Sequence, residues 1–148
     1  MASFDFKVFD DNSIVLLNGT GLMNDTSLKI MSFLHFSSWS FVKVIGTSTT
    51  IKGDGLFQNF GHVSIESDES FIIDIEFLNC GSVDSNSPEV LFNSPASFIG
   101  GVSSFSNITE VYINDSFTLD QDSLFEGTNV HVCSLANSLN DWGLYYNQ

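Results

Sequence analysis

The acidic turn Asp120-Gln121-Asp122-Ser123 is the part of this sequence whose residue types best fit metal chemistry. Its side-chain oxygens recur at alternating positions, as the oxygen ligands of Ca²⁺ do in binding loops. The turn has neither the glycine nor the distal glutamate of such a loop. Asp120 and Asp122 are therefore a candidate Ca²⁺ site, with a solvated turn as the favoured alternative, and no other cofactor is predicted.

The histidines His35, His62 and His131 do not have the spacing of a metal site. Glycoside hydrolysis needs two carboxyl groups beside the scissile bond, and the only adjacent aspartates, Asp10-Asp11, lie far from His62 in the sequence. No serine lies in a nucleophile elbow, and no glycine-rich phosphate loop occurs. We therefore predict that the protein is not an enzyme and has no catalytic residue.

Composition describes a folded, strongly acidic chain. The 148 residues include 15 phenylalanines and carry a net charge of −14, with only 4 lysines and arginines in total. Such a chain lacks the basic surface that nucleic acids and anionic membranes require. Cations, basic proteins and neutral carbohydrate remain as possible partners.

No apolar run is long enough to insert into a membrane as a helix, and the first residues lack the basic start of a signal peptide. The abundance of Ser, Asn, Thr and Gly, with few charged residues, favours short strands and turns over helices. The elements that position any site are therefore expected to be β-strands.

Two similar phrases, Phe57–Val63 and Phe77–Val83, lie about 20 residues apart and predict a solenoid. Each has the pattern aromatic-x-Asn-x-Gly-x-Val. In stacked coils, Asn59 and Asn79 would bond to each other through their amides. Gly61 and Gly81 are expected to provide positive φ angles at the bend, and Gly101 lies in the same column.

The same period predicts a column of inward-facing side chains, one from each coil, comprising Ile51, Phe71, Leu91 and Val111. The chain is predicted to be one domain over residues 1–148. Residues 1–50 would form irregular coils or a cap, residues 51–133 the regular coils, and residues 134–148 a C-terminal cap or interaction tail. An antiparallel β-sandwich or jelly roll is the alternative fold.

The Asn-x-Gly phrases resemble the coils of right-handed parallel β-helices in haemagglutinin-like and autotransporter adhesins and in polymorphic outer-membrane proteins. This resemblance covers Ile51–Val83 best. It implies an all-β, right-handed parallel β-helix with coils of about 20 residues, acting as an extended surface or fibre module without catalysis.

These observations predict a structural or adhesive subunit that assembles with copies of itself into a surface fibre, filament or appendage. The aromatic tail residues Trp142, Tyr145 and Tyr146 are candidate interaction residues. One alternative is a carbohydrate-binding or carbohydrate-active module that also uses Trp39; another is a viral capsid or spike component. The expected location is extracellular, on a cell surface or in a virion.

Overall fold

The protein is a parallel β-solenoid. The computed structural model describes the backbone of residues 2–9, 14–17, 19–31, 33–135 and 144–145, and the side chains of residues 19–31 and 33–132. The elements found there are all strands, and they pair in parallel. Over the part with described side chains, the chain makes about 5 turns of roughly 21 residues each. The predicted parallel solenoid is confirmed, the antiparallel alternative is wrong, and the right-handed sense stays a prediction.

The strands form three stacks, which we call A, B and C in the order in which each coil visits them. Stack A contains the first halves of β1 (Ala2–Phe9) and β3 (Thr20–Ile30), followed by β5 (Phe41–Ile45), β7 (His62–Ile65), β9 (Ser82–Ser85), β12 (Val102–Phe105), β14 (Leu124–Glu126) and β16 (Leu144–Tyr145). Stack B contains the second halves of β1 and β3, the first halves of β6 (Ser48–Asn59), β8 (Ser70–Asn79), β13 (Glu110–Leu119) and β15 (Asn129–Leu135), and all of β10 (Glu89–Phe92). Stack C contains β2 (Ile14–Leu17), β4 (Phe33–Phe36), β11 (Ala96–Phe98) and the second halves of β6, β8, β13 and β15.

Alternate side chains of each strand point into the solenoid and stack on their equivalents in the next coil. Strand β8 shows this pattern clearly, since every second residue from Phe71 to Asn79 is buried. Inward columns are mostly apolar; one column of stack C is Leu34, Phe57, Phe77, Ala96 and Phe117. Phenylalanine suits this interior because its large flat ring fills the space between three stacks.

The predicted column of Ile51, Phe71, Leu91 and Val111 is wrong in register at two positions. Phe71 and Val111 do share a column, but Val90 lies between them. Leu91 lies in an outward column between Ile72 and Tyr112, while Ile51 pairs with Ile73. The cause is unequal coil length, because Thr49 rather than Ile51 pairs with Phe71. Pairing between β6 and β8 shifts register between Lys52 and Leu56, where Gly53 has a φ of 134°.

Regular stacking is not restricted to residues 51–133. Strand β3 pairs in register with β5 over Thr20–Asn24 and with β6 over Ser27–Lys29. The described part of the N-terminal region is therefore continuous with the other coils. Within the described residues, no helix has the length and apolarity needed to cross a bilayer.

Asn59 and Asn79 form the amide pair expected from the sequence. Asn59 Nδ2 donates to Asn79 Oδ1 at 2.8 Å, and both side chains are fully buried. Asn59 Oδ1 also accepts the backbone N–H of Gly61 at 3.1 Å. Among the described side chains, every buried nitrogen or oxygen has a hydrogen-bond partner. A hydrogen bond therefore compensates each of these buried polar atoms for the loss of its contact with water.

The role predicted for Gly61 and Gly81 is wrong, because neither residue has a positive φ. Both are needed for close stacking instead. A Cβ on Gly81 would collide with the carbonyl oxygen of Gly61, and one on Gly61 would collide with Ser40. Gly101 combines both constraints, since its φ is 78° and a Cβ would meet the carbonyl of Gly81.

Candidate functional site: an uncharged band along the C–A turn

His62 is the centre of a polar cluster on the outer surface of stack A. A hydrogen bond of 2.8 Å joins its Nδ1 to Ser82 Oγ, and its Nε2 lies 2.5 Å from Asp84 Oδ1. Ser64 Oγ donates to the other carboxylate oxygen of Asp84 at 2.9 Å. These four residues come from the neighbouring strands β7 and β9, which pair residue by residue.

This cluster has the residue types of a nucleophilic triad, but its surroundings differ from an acyl-transfer site. Such a site needs backbone or side-chain donors aimed at the developing oxyanion. The nearby backbone N–H groups are already used, because Ser82 donates to Gly61 O, and Cys80 and Gly81 both donate to Asn59 O. The cluster therefore links two adjacent coils, and the N–H groups of Ser82, Cys80 and Gly81 already have carbonyl acceptors in the preceding coil.

Sequence reasoning missed this cluster, although a signal was present. His62 and Ser82 occupy equivalent places in the two Asn-x-Gly phrases, and Ser64 and Asp84 follow at the next outward positions. The predicted columns comprise only inward and bend residues. The same offset applied to outward residues would have placed these side chains together.

Asp120 is tied into its own turn. Its Oδ1 accepts hydrogen bonds from Ser123 Oγ at 2.7 Å, from the backbone N–H of Gly100 at 3.1 Å and from that of Asp122 at 3.1 Å. The Ser123 hydroxyl is the largest of the effects that hold the pKa of Asp120 below its ordinary value. Asp122 is exposed, and the described residues contain no group of three or more His, Cys, Asp or Glu placed to hold a metal ion. The structure thus gives Asp120 a role in stabilising the turn, and the Ca²⁺ site stays a prediction.

The lowered pKa of Asp120 makes a testable prediction about acid stability. Because the pKa is lower in the folded state than in the unfolded state, the stabilisation is fully present above the unfolded value of about 3.9. It is lost as pH falls through the folded value. Asp120→Asn is expected to lower the urea midpoint of unfolding at pH 7 and to differ less from the wild type in strongly acidic buffer. Asp122→Asn, which removes the same charge without removing these bonds, should shift the midpoint little; equal shifts for both variants would contradict this role.

The surface between stacks C and A carries an uncharged band that runs parallel to the solenoid axis. It has three columns, each of equivalent outward positions in successive coils. The column on stack C is His35, Gln58, Leu78, Ser97 and Thr118. The middle column lies in the turns and contains Phe60, Cys80 and Ile99, with Trp39 at its N-terminal end. In the next coil the equivalent position is Asp120, so the uncharged part of this column ends at Ile99. The column on stack A is Phe41, His62, Ser82, Val102 and Leu124.

Exposed apolar side chains are concentrated in this band. Among the described residues, six large hydrophobic side chains are exposed, and the band holds five of them: Trp39, Phe41, Phe60, Ile99 and Val102. Trp39 is 84% exposed. The sixth is Ile108, on the turn between stacks A and B. Contiguous exposed apolar surface of this kind is typical of an interaction site.

Among the described residues, most exposed acidic side chains lie on the other two edges of the solenoid, whereas Asp120 and Asp122 lie in the last turn of the C–A edge. The turns between stacks A and B carry Asp25, Glu66, Asp68 and Glu69, and the bends between stacks B and C carry Asp54, Asp74, Glu76 and Asp115; all eight are exposed.

In the middle of the band, burial raises the pKa of the Cys80 thiol, and the charge of Asp120 adds to this effect. The thiol therefore stays protonated and uncharged at neutral pH.

Ring contacts hold the aromatic end of the band in place. Phe60 lies against His35 at a centroid distance of 5.1 Å, and His35 in turn stacks on Phe33 at 5.8 Å. Phe41 stacks on His62 at 5.1 Å. A surface that is already ordered loses less side-chain entropy when it binds a partner.

The predicted interaction tail is not part of this band as described. Trp142 and Tyr146 lie outside the described residues. Tyr145 belongs to strand β16, where its backbone pairs with Glu126. The role of these three residues stays a prediction.

Comparisons of the chain with protein-family models, with curated proteins and with solved structures found no match.

Proposed function

We propose that this protein is a non-catalytic structural and adhesive β-solenoid subunit that assembles side by side with copies of itself through the uncharged band. One observation carries this proposal: a chain with a net charge of −14 has a strip, four coils long, that combines exposed apolar side chains with no charged residue and ends at the turn that carries Asp120 and Asp122. Two such chains repel each other along their acidic edges, but they can approach along this strip. At physiological salt, charges more than about 8 Å away are largely screened.

The size of the band indicates that a single contact is weak. Four coil spacings of about 4.8 Å and a width of three columns give a patch on the order of 300 Å² per copy. A stable protein interface buries roughly 800 Å² per partner. The band contact by itself therefore gives a weak dimer. Linking such dimers into a fibre or surface layer requires a second contact outside the band, and multivalency would then strengthen the assembly.

Ile99→Glu tests this proposal, because it places a charge in the middle column of the band. We expect the wild-type protein to show concentration-dependent self-association by sedimentation velocity, strengthened by added salt. Ile99→Glu should shift the association to higher protein concentration. Ile108→Glu is the matched control, since it makes the same change at the exposed apolar residue outside the band. A wild type that stays monomeric at about 1 mM protein, well above the range of a weak interface, would overturn the self-assembly.

Carbohydrate binding is the second candidate function, and the exposure of Trp39 favours it. A tryptophan that is 84% exposed beside Phe41 and Phe60 offers flat apolar faces of the kind that sugar rings can cover. The absence of charge in the band suits a neutral sugar. Glycan binding by a monomer, lost in Trp39→Ala, would favour this function over self-assembly.

A further inference from the structure

We infer that the partner on the uncharged band is a second copy of this chain running antiparallel to the first, related to it by a two-fold axis through Cys80. This inference rests on the proposed function and adds the orientation of the pair. A two-fold arrangement is self-complementary, so that each contact occurs twice.

The order of side chains in the middle column supports this orientation. Phe60 lies one coil before Cys80, and Ile99 lies one coil after it. A two-fold axis perpendicular to the solenoid axis would bring Phe60 of one copy against the partner's Ile99. The parallel arrangement would instead place Phe60 on Phe60 and Ile99 on Ile99. In the antiparallel pair, the ring of Phe60 thus packs against the branched side chain of Ile99 at both ends of the contact. Ile99 of one copy does not pack against Ile99 of the other.

The columns on stack A and stack C, which flank the C–A turn, are also consistent with this two-fold axis. The antiparallel axis brings stack A of one copy to stack A of the other, with the order of coils reversed. Phe41 then lies opposite the partner's Leu124, and His62 lies opposite the partner's Val102. On stack C, Leu78 lies opposite itself, which places an apolar side chain at the centre of the contact. Phe41, His62 and Phe60 therefore each meet an aliphatic side chain of the partner, whereas Trp39 lies opposite the partner's turn that carries Asp120.

Charge distribution along the chain favours the antiparallel pair independently of shape. The sequence has no lysine or arginine after Lys52, whereas acidic residues continue to Asp141. In a parallel pair, the strongly acidic C-terminal coils would lie beside each other. In the antiparallel pair, the coils that carry Lys29, Lys43 and Lys52 lie beside the acidic C-terminal coils, which lowers the repulsion between copies.

One outward column shows this complementarity in detail. Beside the band on stack A, equivalent positions hold Lys43, Ser64, Asp84, Ser104 and Glu126 in successive coils. Reversing this column places Lys43 opposite the partner's Glu126 at both ends. At the centre it places Asp84 opposite the partner's Asp84, and each of these carboxylates is already in contact with His62 and Ser64 of its own chain. Lys43 also forms an ion pair with Glu66 at 2.8 Å within its own chain, and its side chain is 39% exposed, so it remains accessible to a second carboxylate.

Disulfide trapping tests the orientation. In a background with Cys80→Ser and Cys133→Ser, the variants Phe60→Cys and Ile99→Cys are each prepared with tags of different length. They are then oxidised alone and as an equal mixture. A disulfide requires Cα atoms within about 7 Å. In the antiparallel pair, residue 60 of one copy and residue 60 of the other lie two coils apart, about 10 Å, and the same distance separates the two copies of residue 99. We expect on the order of ten-fold more disulfide-linked dimer in the mixture than in either variant alone.

The outcomes separate the orientation from the contact itself. Efficient trapping of Phe60→Cys alone would show a parallel pair and overturn this inference while leaving the self-assembly standing. The Cys133→Ser variant, which keeps Cys80, is the control for the contact, because Cys80 meets Cys80 in both orientations. If this control gives no dimer and the protein stays monomeric in solution, the proposed function fails together with the inference. Association of wild type that Ile99→Glu does not weaken would place the contact elsewhere and overturn the inference as well.

Discussion

Phe98→Ala is expected to lower the free energy of unfolding by about 3–5 kcal/mol, the usual cost of removing a buried aromatic ring. Phe98 is 1% exposed and its ring contacts four others, with centroid distances of 5.9 Å to Phe77, 5.7 Å to Phe92, 5.6 Å to Phe117 and 5.0 Å to Phe125. These rings belong to all three stacks. Truncation would therefore leave a cavity at the point where the stacks meet, and the surrounding strands cannot collapse into it without breaking their pairing.

Urea denaturation followed by circular dichroism measures this loss. Ile108→Ala is the control, because Ile108 is 62% exposed and its truncation should change stability by no more than about 0.5 kcal/mol. Where Phe98→Ala does not fold, Phe98→Leu provides a smaller and measurable loss. Equal stability of Phe98→Ala and Ile108→Ala would show that the ring does not lie among the four partners.

Gly101→Ala is expected to destabilise the protein much more than Gly100→Ala, although the two residues are neighbours with nearly the same φ angle. Their φ angles are 78° and 79°, so alanine costs roughly 1–2 kcal/mol at either position for conformation alone. A Cβ on Gly100 would meet nothing within 4 Å. A Cβ on Gly101 would collide with the carbonyl group of Gly81 in the preceding coil, and overpacking of this kind costs a further 1–3 kcal/mol or so.

The pair of variants isolates the effect of coil stacking, since backbone strain is common to both. Thermal and urea unfolding of the two proteins give the difference directly. A destabilisation of Gly100→Ala equal to that of Gly101→Ala would mean that the turns of adjacent coils are further apart than the structure places them.

The sequence predicted the position of a side chain correctly where that residue type recurs for a single structural reason. A buried asparagine must satisfy both parts of its amide, so two asparagines in matching phrases predicted the bond between Asn59 and Asn79. Leucine and isoleucine occur on either face of a strand, and a fixed period therefore assigned Leu91 to the interior when it lies outside. The number of residues per coil varies because the bends between stacks B and C differ in length, as at Gly53. No local pattern in the sequence indicates which bends contain the extra residues.

The uncharged band was difficult to predict for a different reason. Its members are chemically unlike one another, and what they share is the absence of charge at equivalent outward positions. That property becomes visible only when the register of every coil is known. The exposed aromatic residue Trp39 was identified as a candidate, whereas Ile99 and Val102 were not, because an isolated aliphatic residue in a turn carries no signal of its own.

The coil-to-coil pairing also determines how this chain can fold. Each strand finds its partner about 21 residues away, in the coil before or after it, so the relative contact order is about 0.14 and falls below the range usual for all-β proteins. The entropy lost in closing each such loop is similar along the whole chain. Folding can therefore begin at any pair of adjacent coils and extend one coil at a time in either direction, as in other repeat architectures.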